Sequence, residues 1–118
     1  SNALIIPLVG TGLTIDWGDG NTDTGVTSSA ASPASHTYST SGTYTVNVSG
    51  SLTRVQYESN NARDKNKLTG ITQWGDISWT SFNEAYRGCN NLTITSVIDS
   101  PNLTNVTDLS RMFFYIYL

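Results

Sequence analysis

The chain has 118 residues, of which 13% are charged, with a net charge of −3 and a pI of about 4.7. A length of that order buries one core, or two small ones that share an interface. So little charge, net negative, argues against nucleic-acid binding and against docking on an anionic membrane, and no run approaches the roughly 18 apolar residues of a membrane span.

Ser1-Asn2-Ala3 reads as the remnant of tag cleavage and is set aside. Leu4-Ile5-Ile6-Pro7-Leu8-Val9 is an apolar run that Gly10-Thr11-Gly12 is expected to end. Leu13, Ile15 and Trp17 then alternate with Thr14 and Asp16, the period of a half-buried strand. Gly18-Asp19-Gly20-Asn21 breaks that strand with residues that tolerate positive φ and cap their own backbone. Residues 22–35, polar and rich in Ser and Ala, are expected to form a loop. His36-Thr37-Tyr38 opens a further strand, in which His36 is expected to hydrogen-bond across the sheet. After a turn at Ser41-Gly42, Tyr44, Val46 and Val48 alternate with Thr45 and Asn47; Gly50 closes that strand, and Leu52, Val55 and Tyr57 suggest one more.

Trp17-Gly18-Asp19-Gly20, His36-Thr37-Tyr38 and Gly42-Thr43-Tyr44-Thr45-Val46-Asn47-Val48, in that order, resemble the signature of PKD (polycystic kidney disease) domains. The resemblance implies an extracellular β-sandwich of immunoglobulin-like topology. It covers about residues 4–58, less than a full domain of that type. The expectation is a reduced sandwich or a single curled sheet whose open face is covered by the second half of the chain.

The second half repeats. Lys67-Leu68-Thr69 recurs as Asn91-Leu92-Thr93, 24 positions on, and residues 79–86 align with 106–113, 27 positions on. A period near 25 residues is that of one solenoid unit, a short strand plus a helical turn. Trp79, Phe82, Tyr86 and Cys89 recur at three- and four-residue steps, which predicts one face of a short helix. Leu92-Thr93-Ile94 begins the next strand, Ser100-Pro101-Asn102 makes a turn, and Asn105 or Thr107 is placed to cap a second helix.

Val106-Thr107-Asp108-Leu109-Ser110-Arg111-Met112-Phe113 and Tyr86-Arg87-Gly88-Cys89-Asn90-Asn91-Leu92 resemble the repeat unit of BspA-like bacterial surface proteins, a branch of the leucine-rich repeats. Tyr115 and Ile116 depart from that unit, which has Gly and Cys there. The fold class expected is therefore mainly β with short helices: a PKD-like segment (4–58) packed on leucine-rich-type units (59–118, about 66–91 and 92–118, the last incomplete). The resemblance implies a non-catalytic adhesion or binding module at a bacterial cell surface, with a protein or glycan partner. The alternatives are a carbohydrate-binding accessory module of a secreted enzyme and a structural spacer. A composition rich in Ser, Thr and Asn suits secreted and surface β-proteins.

Several residue groups carry rival chemistry. Asp19-Gly20-Asn21-Thr22-Asp23 has the spacing of the first three ligands of a calcium loop, but its glycine is one position off and Ala30 stands where the last acid belongs. The preferred reading is a hairpin turn in which Asp19 binds local amides and Asp16 faces solvent or a neighbouring strand. Asp16 and Asp19 also match the separation of a glycosidase pair, about 5–9 Å, but a turn tip has no walls to exclude water. The second Trp-Gly-Asp, at 74–76, has flanks that match the repeats instead of the first copy. Cys89, His36 and Asp99 are the residue types of a thiol hydrolase, yet Cys89 falls on an apolar face and reads as a small core side chain. One His and one Cys do not make a zinc site without acids. As the only cysteine, Cys89 excludes an internal disulfide and leaves the redox compartment open. Asn47, Asn91, Asn102 and Asn105 each begin an N-x-Ser/Thr sequence, which carries no weight in a bacterial protein. Tryptophans and tyrosines would make a sugar platform if exposed; their spacing places most of them in the core. No catalytic, cofactor or metal residue is assigned. The apolar end, 112–118, is expected to fold back over the sheet or to pack against a second copy, giving a homodimer.

Overall fold

A computed structural model of the chain describes residues 2–57, 64–94 and 96–113. Pro7 lacks an amide hydrogen and cannot extend a ladder, so it divides the opening apolar run between two sheets. On one side, β1 (Ala3–Ile6) ends; on the other, β2 (Leu8–Asp16) begins. Strands β3 (Thr22–Ser28), β4 (Ala34–Thr37) and β5 (Asn47–Val55) complete the set. β1 pairs antiparallel with β4, and β2 lies between β3 and β5 in a second antiparallel sheet. Asn2 and Ala3 belong to this framework: Ala3 pairs with Thr37, and the Asn2 carbonyl accepts the Tyr38 amide.

The alternation at Leu13, Ile15 and Trp17 is realised, with exposures of 0, 0 and 1%. Gly10-Thr11-Gly12 does not end a strand. β2 runs through it by means of bulges, one of which brings Gly12 (φ 57) against Gly50 (φ 104) of β5. A β-carbon on Gly50 would lie 2.5 Å from the Gly12 carbonyl, so only glycine fits there. Gly50 accordingly does not close a strand either: β5 is continuous from Asn47 to Val55. Tyr44 and Val46 precede it in irregular backbone, though both are half-buried and packed on the core.

The expected loop over 22–35 is half strand. β3 is an edge strand whose residues are exposed except for Val26 and Ser28, so it carries no apolar alternation. Its partners on β2 include Leu13 and Ile15.

In the second half the expected short helices are absent among the described residues, where a 3-10 turn at Lys65–Lys67 is the one helical element. Residues 83–88 are turns, yet Trp79, Phe82, Tyr86 and Cys89 are all buried in one cluster, as their spacing predicts. The cap positions Asn105 and Thr107 therefore begin no helix; Asn102 and Asp108 instead accept the amides of Thr104 and Ser110 in local turns.

The alignment of 79–86 with 106–113 is visible in the backbone. Phe82, Glu84 and Tyr86 donate their amides to the carbonyls of Asp108, Ser110 and Met112 at 2.9, 3.0 and 2.9 Å. In a parallel pairing that register sets 82 beside 109, 84 beside 111 and 86 beside 113, each 27 positions on. Glu84 and Arg111, matched by it, share a left-handed φ of 55. Ala85 to Phe82 and Met112 to Leu109 are matched turn bonds, and Ser81 and Asp108 accept the amide two residues on. These segments, together with parallel bridges at Gly70–Thr93 and Ser78–Asn102, form one stacked pair of units among the described residues, and a solenoid is not shown.

The front half abuts that pair. Thr80 donates its amide to Thr53, Tyr57 donates its own to Ala85, and Arg54 Nη2 reaches the Asn83 carbonyl at 2.9 Å. One hydrophobic cluster results, running from Leu8 and Trp17 through Leu52 and Tyr57 to Phe82 and Leu92. The expected boundary at 58/59 and the apolar tail at 114–118 lie outside the described residues.

Candidate functional site

Residues 16–23 form the turn that links β2 to β3. Gly18, at φ 83, would place a β-carbon 2.4 Å from the Thr45 carbonyl. Asp16 caps the Gly18 amide and Asp19 Oδ1 caps Asn21, while the Trp17 amide closes the loop on the Asn21 carbonyl. The other Asp19 oxygen accepts His36 Nε2 at 2.8 Å, and Asp23 accepts the indole Nε1 of Trp17 at 2.9 Å. The His36 side chain thus binds the turn, while its backbone lies opposite Leu4 in the β1–β4 sheet.

The His36 ring lies flat on Trp17, at 4.9 Å between centroids, and edge-on to Tyr38, which in turn stacks on Tyr44 at 4.0 Å. The hydrogen bond from His36 holds the Asp19 carboxyl below the usual carboxylate range, against a smaller opposing effect of burial. These contacts fit a locked turn: each carboxylate of the 16–23 stretch is aimed at a different protein donor. No group of three or more His, Cys, Asp or Glu is placed to hold a metal among the described residues.

The remaining candidates are dispersed. Cys89 is fully buried, and burial pushes its thiol up to about 12. Asp99 accepts the amides of Trp74 and Gly75 at 2.7 and 2.9 Å, capping the second Trp-Gly-Asp turn, where Gly75 has φ 70. Cys89, His36 and Asp99 therefore serve three separate environments. Asn47, Asn91, Asn102 and Asn105 are all exposed, with Asn91 donating to the Asn66 carbonyl. The tryptophans are buried, as are Tyr38, Tyr57 and Tyr86.

Two clefts have walls built from segments distant in the sequence, so no local motif marks them. One, of about 300 Å³, lies between Tyr38, Tyr44 and the 40–43 turn on one side and Leu4, Lys67 and Thr69 on the other. Both tyrosine hydroxyls there are engaged, donating to the carbonyls of Trp17 and Thr40. The other, of about 580 Å³, runs along β5 from Val48 to Thr53 opposite Asp76, Ile77 and Ser78. Searches among protein families, curated proteins and solved structures find no match to the chain.

Proposed function

We propose that the chain is a non-catalytic binding module of an extracellular bacterial surface protein, in which a PKD-like β segment caps the first units of a leucine-rich-type stack. The observation that carries this reading is the 27-residue recurrence of backbone conformation, with Glu84 and Arg111 in the same left-handed state and three amide-to-carbonyl bonds in constant register. Stacked units of this kind present an extended rigid surface and need no cleft. The polar groups of the candidate catalytic residues are engaged with protein partners or buried, which suits a scaffold better than an active site.

Direct binding tests the proposal. The chain, immobilised, is screened against extracellular-matrix proteins and a glycan array. A saturable protein ligand supports adhesion, and no ligand of either class at about 100 μM, a standard binding free energy of about −5.5 kcal/mol, favours a spacer. The Tyr38–Tyr44 cleft favours a second reading, a carbohydrate-binding accessory module. Glycan hits abolished by Tyr44→Ala would establish it.

A further inference from the structure

The aromatic contacts of the front half form one column. Trp17 lies flat on His36, His36 meets Tyr38 edge-on, and Tyr38 stacks on Tyr44 at 4.0 Å between centroids and 12° between planes. Trp17 and Tyr38 are buried, whereas Tyr44 is half-exposed and ends the column at the smaller cleft. The Tyr44 hydroxyl donates to the Thr40 carbonyl, as that of Tyr38 does to the Trp17 carbonyl. Both rings are thereby fixed, and they offer the cleft carbon surface instead of hydroxyl groups. Gly42 keeps that surface open. A β-carbon there would stand 3.7 Å from Tyr44 Cε2 and 3.8 Å from its hydroxyl oxygen, ordinary contact distances. Gly42 is not among the glycines with positive φ, so a side chain at this position would lie against the ring without straining the backbone.

The rest of the lining is polar and, apart from one lysine, uncharged. Thr40, Ser41 and Thr43 are exposed around the ring and Thr69 stands on the opposite wall, and their hydroxyls can both donate and accept. Lys67 Nζ bonds the Ala3 carbonyl and, at 3.0 Å, Asp64 Oδ1, so its charge is matched within the chain. An anionic ligand therefore finds no unmatched cation in this lining. The volume of about 300 Å³ suits a single ring better than an extended chain. It stands at the lower limit of small-ligand pockets, roughly 300–1,000 Å³. An aromatic face beside hydroxyl groups matches the two surfaces of a neutral sugar, its C–H face and its hydroxyl rim. Asn2 and Ala3 reach the rim through backbone pairing with Tyr38 and Thr37, which other residues would supply equally.

We propose that the Tyr44 cleft binds one pyranose ring of an uncharged glycan, with its C–H face on the Tyr44 ring and its hydroxyls toward Thr40, Ser41, Thr43 and Thr69. This rests on the reading of the chain as a carbohydrate-binding module, and names the site and the class of sugar.

The probes are the methyl glycosides of glucose, galactose and mannose, with galacturonate as the charged comparison. Each is titrated into the full chain to about 50 mM, because contact with a single ring gives dissociation constants on the order of 1 mM. Amide shifts in heteronuclear NMR are expected at residues 40–44 and at Thr69 for at least one neutral sugar. The affinity is expected to fall at least tenfold in both Gly42→Gln and Tyr44→Ala. Gly42→Gln leaves the aromatic column intact and so separates a blocked cleft from a damaged fold. No shift with any neutral sugar, shifts away from the cleft, equal or tighter binding of galacturonate, or binding unchanged in Gly42→Gln would each overturn the proposal. So would shifts at the cleft from a proline-rich peptide and from no sugar, or loss of binding in Asn2→Ala, which would make the site a product of the tag remnant. Glycan-array hits that survive Gly42→Gln would refute the cleft and leave the carbohydrate reading standing; methyl glycoside binding at the cleft with no array hit would do the reverse.

Discussion

Arg111 holds a φ of 55, where a β-carbon costs roughly 1–2 kcal/mol. It is exposed, and its contact to Glu84 is 3.8 Å, so little side-chain energy offsets that strain. Arg111→Gly is therefore expected to stabilise the fold by up to about 1 kcal/mol, less the added freedom of glycine in the unfolded chain, and Arg111→Val to destabilise it. Urea denaturation measures both; a glycine variant less stable than the valine variant would refute the left-handed assignment. Glu84 has the same φ but holds Arg87 at 2.6 Å, so Glu84→Gly is expected to gain less. At Asp19 the sign follows from a depressed carboxyl pKa. Its stabilising effect is present above the unfolded value, about 3.9, and lost as pH falls through the lower folded value. The stability gap between the parent and Asp19→Asn should close as pH falls below about pH 4, as read from urea midpoints. A gap that instead widens in acid would show that His36 does not hold the ionised form.

At the scale of elements, what could be read in the sequence depended on whether an element had one apolar face. β2 has one, and Leu13, Ile15 and Trp17 announced it. β3 is an exposed edge without one, held by β2's backbone, and its Thr- and Ser-rich sequence is indistinguishable from a loop. Gly10-Thr11-Gly12 and Gly50 looked like ends because a bulge and a break both demand glycine; only the pairing partner tells them apart. In 79–89 the three- and four-residue spacing found the buried face but not the backbone, since a chain of tight turns stacked on its neighbour delivers the same side chains inward. The turn at 16–23 was legible from its glycines and aspartates, whereas the His36 bond to Asp19 spans 17 positions and left no local signal. Cys89 tests the buried face. With its thiol raised to about 12, it holds roughly three orders of magnitude fewer thiolates at pH 8 than an ordinary cysteine. Labelling by a disulfide reagent should follow the unfolding rate across a urea series. Labelling of the native protein at the rate of a free thiol would place Cys89 at the surface.

For the whole molecule, the resemblances divide the chain at 58/59 while the packing joins it. Leu52, Val55 and Tyr57 close the front sheet against Phe82, Ala85 and Tyr86, in one cluster with both halves. Burying each such large side chain is worth roughly 1.5–3 kcal/mol, and a domain's entire margin is about 5–15 kcal/mol. Further bonds cross the same seam, from the Ile5 amide to Asp64 at 2.6 Å, from Tyr57 to Ala85 and from Thr80 to Thr53. A fragment ending at Tyr57 would expose three core side chains and strand those groups, so it is expected to be unfolded alone, with an undispersed amide spectrum. The full chain should then unfold in a single step, with coincident urea curves from Trp17 at the turn and from Trp74 and Trp79 in the second half. Single-tryptophan variants separate the two signals. Two resolved midpoints, or a folded fragment, would mean that the front half is an independent domain and that its contacts with 79–86 are an interface, not a core.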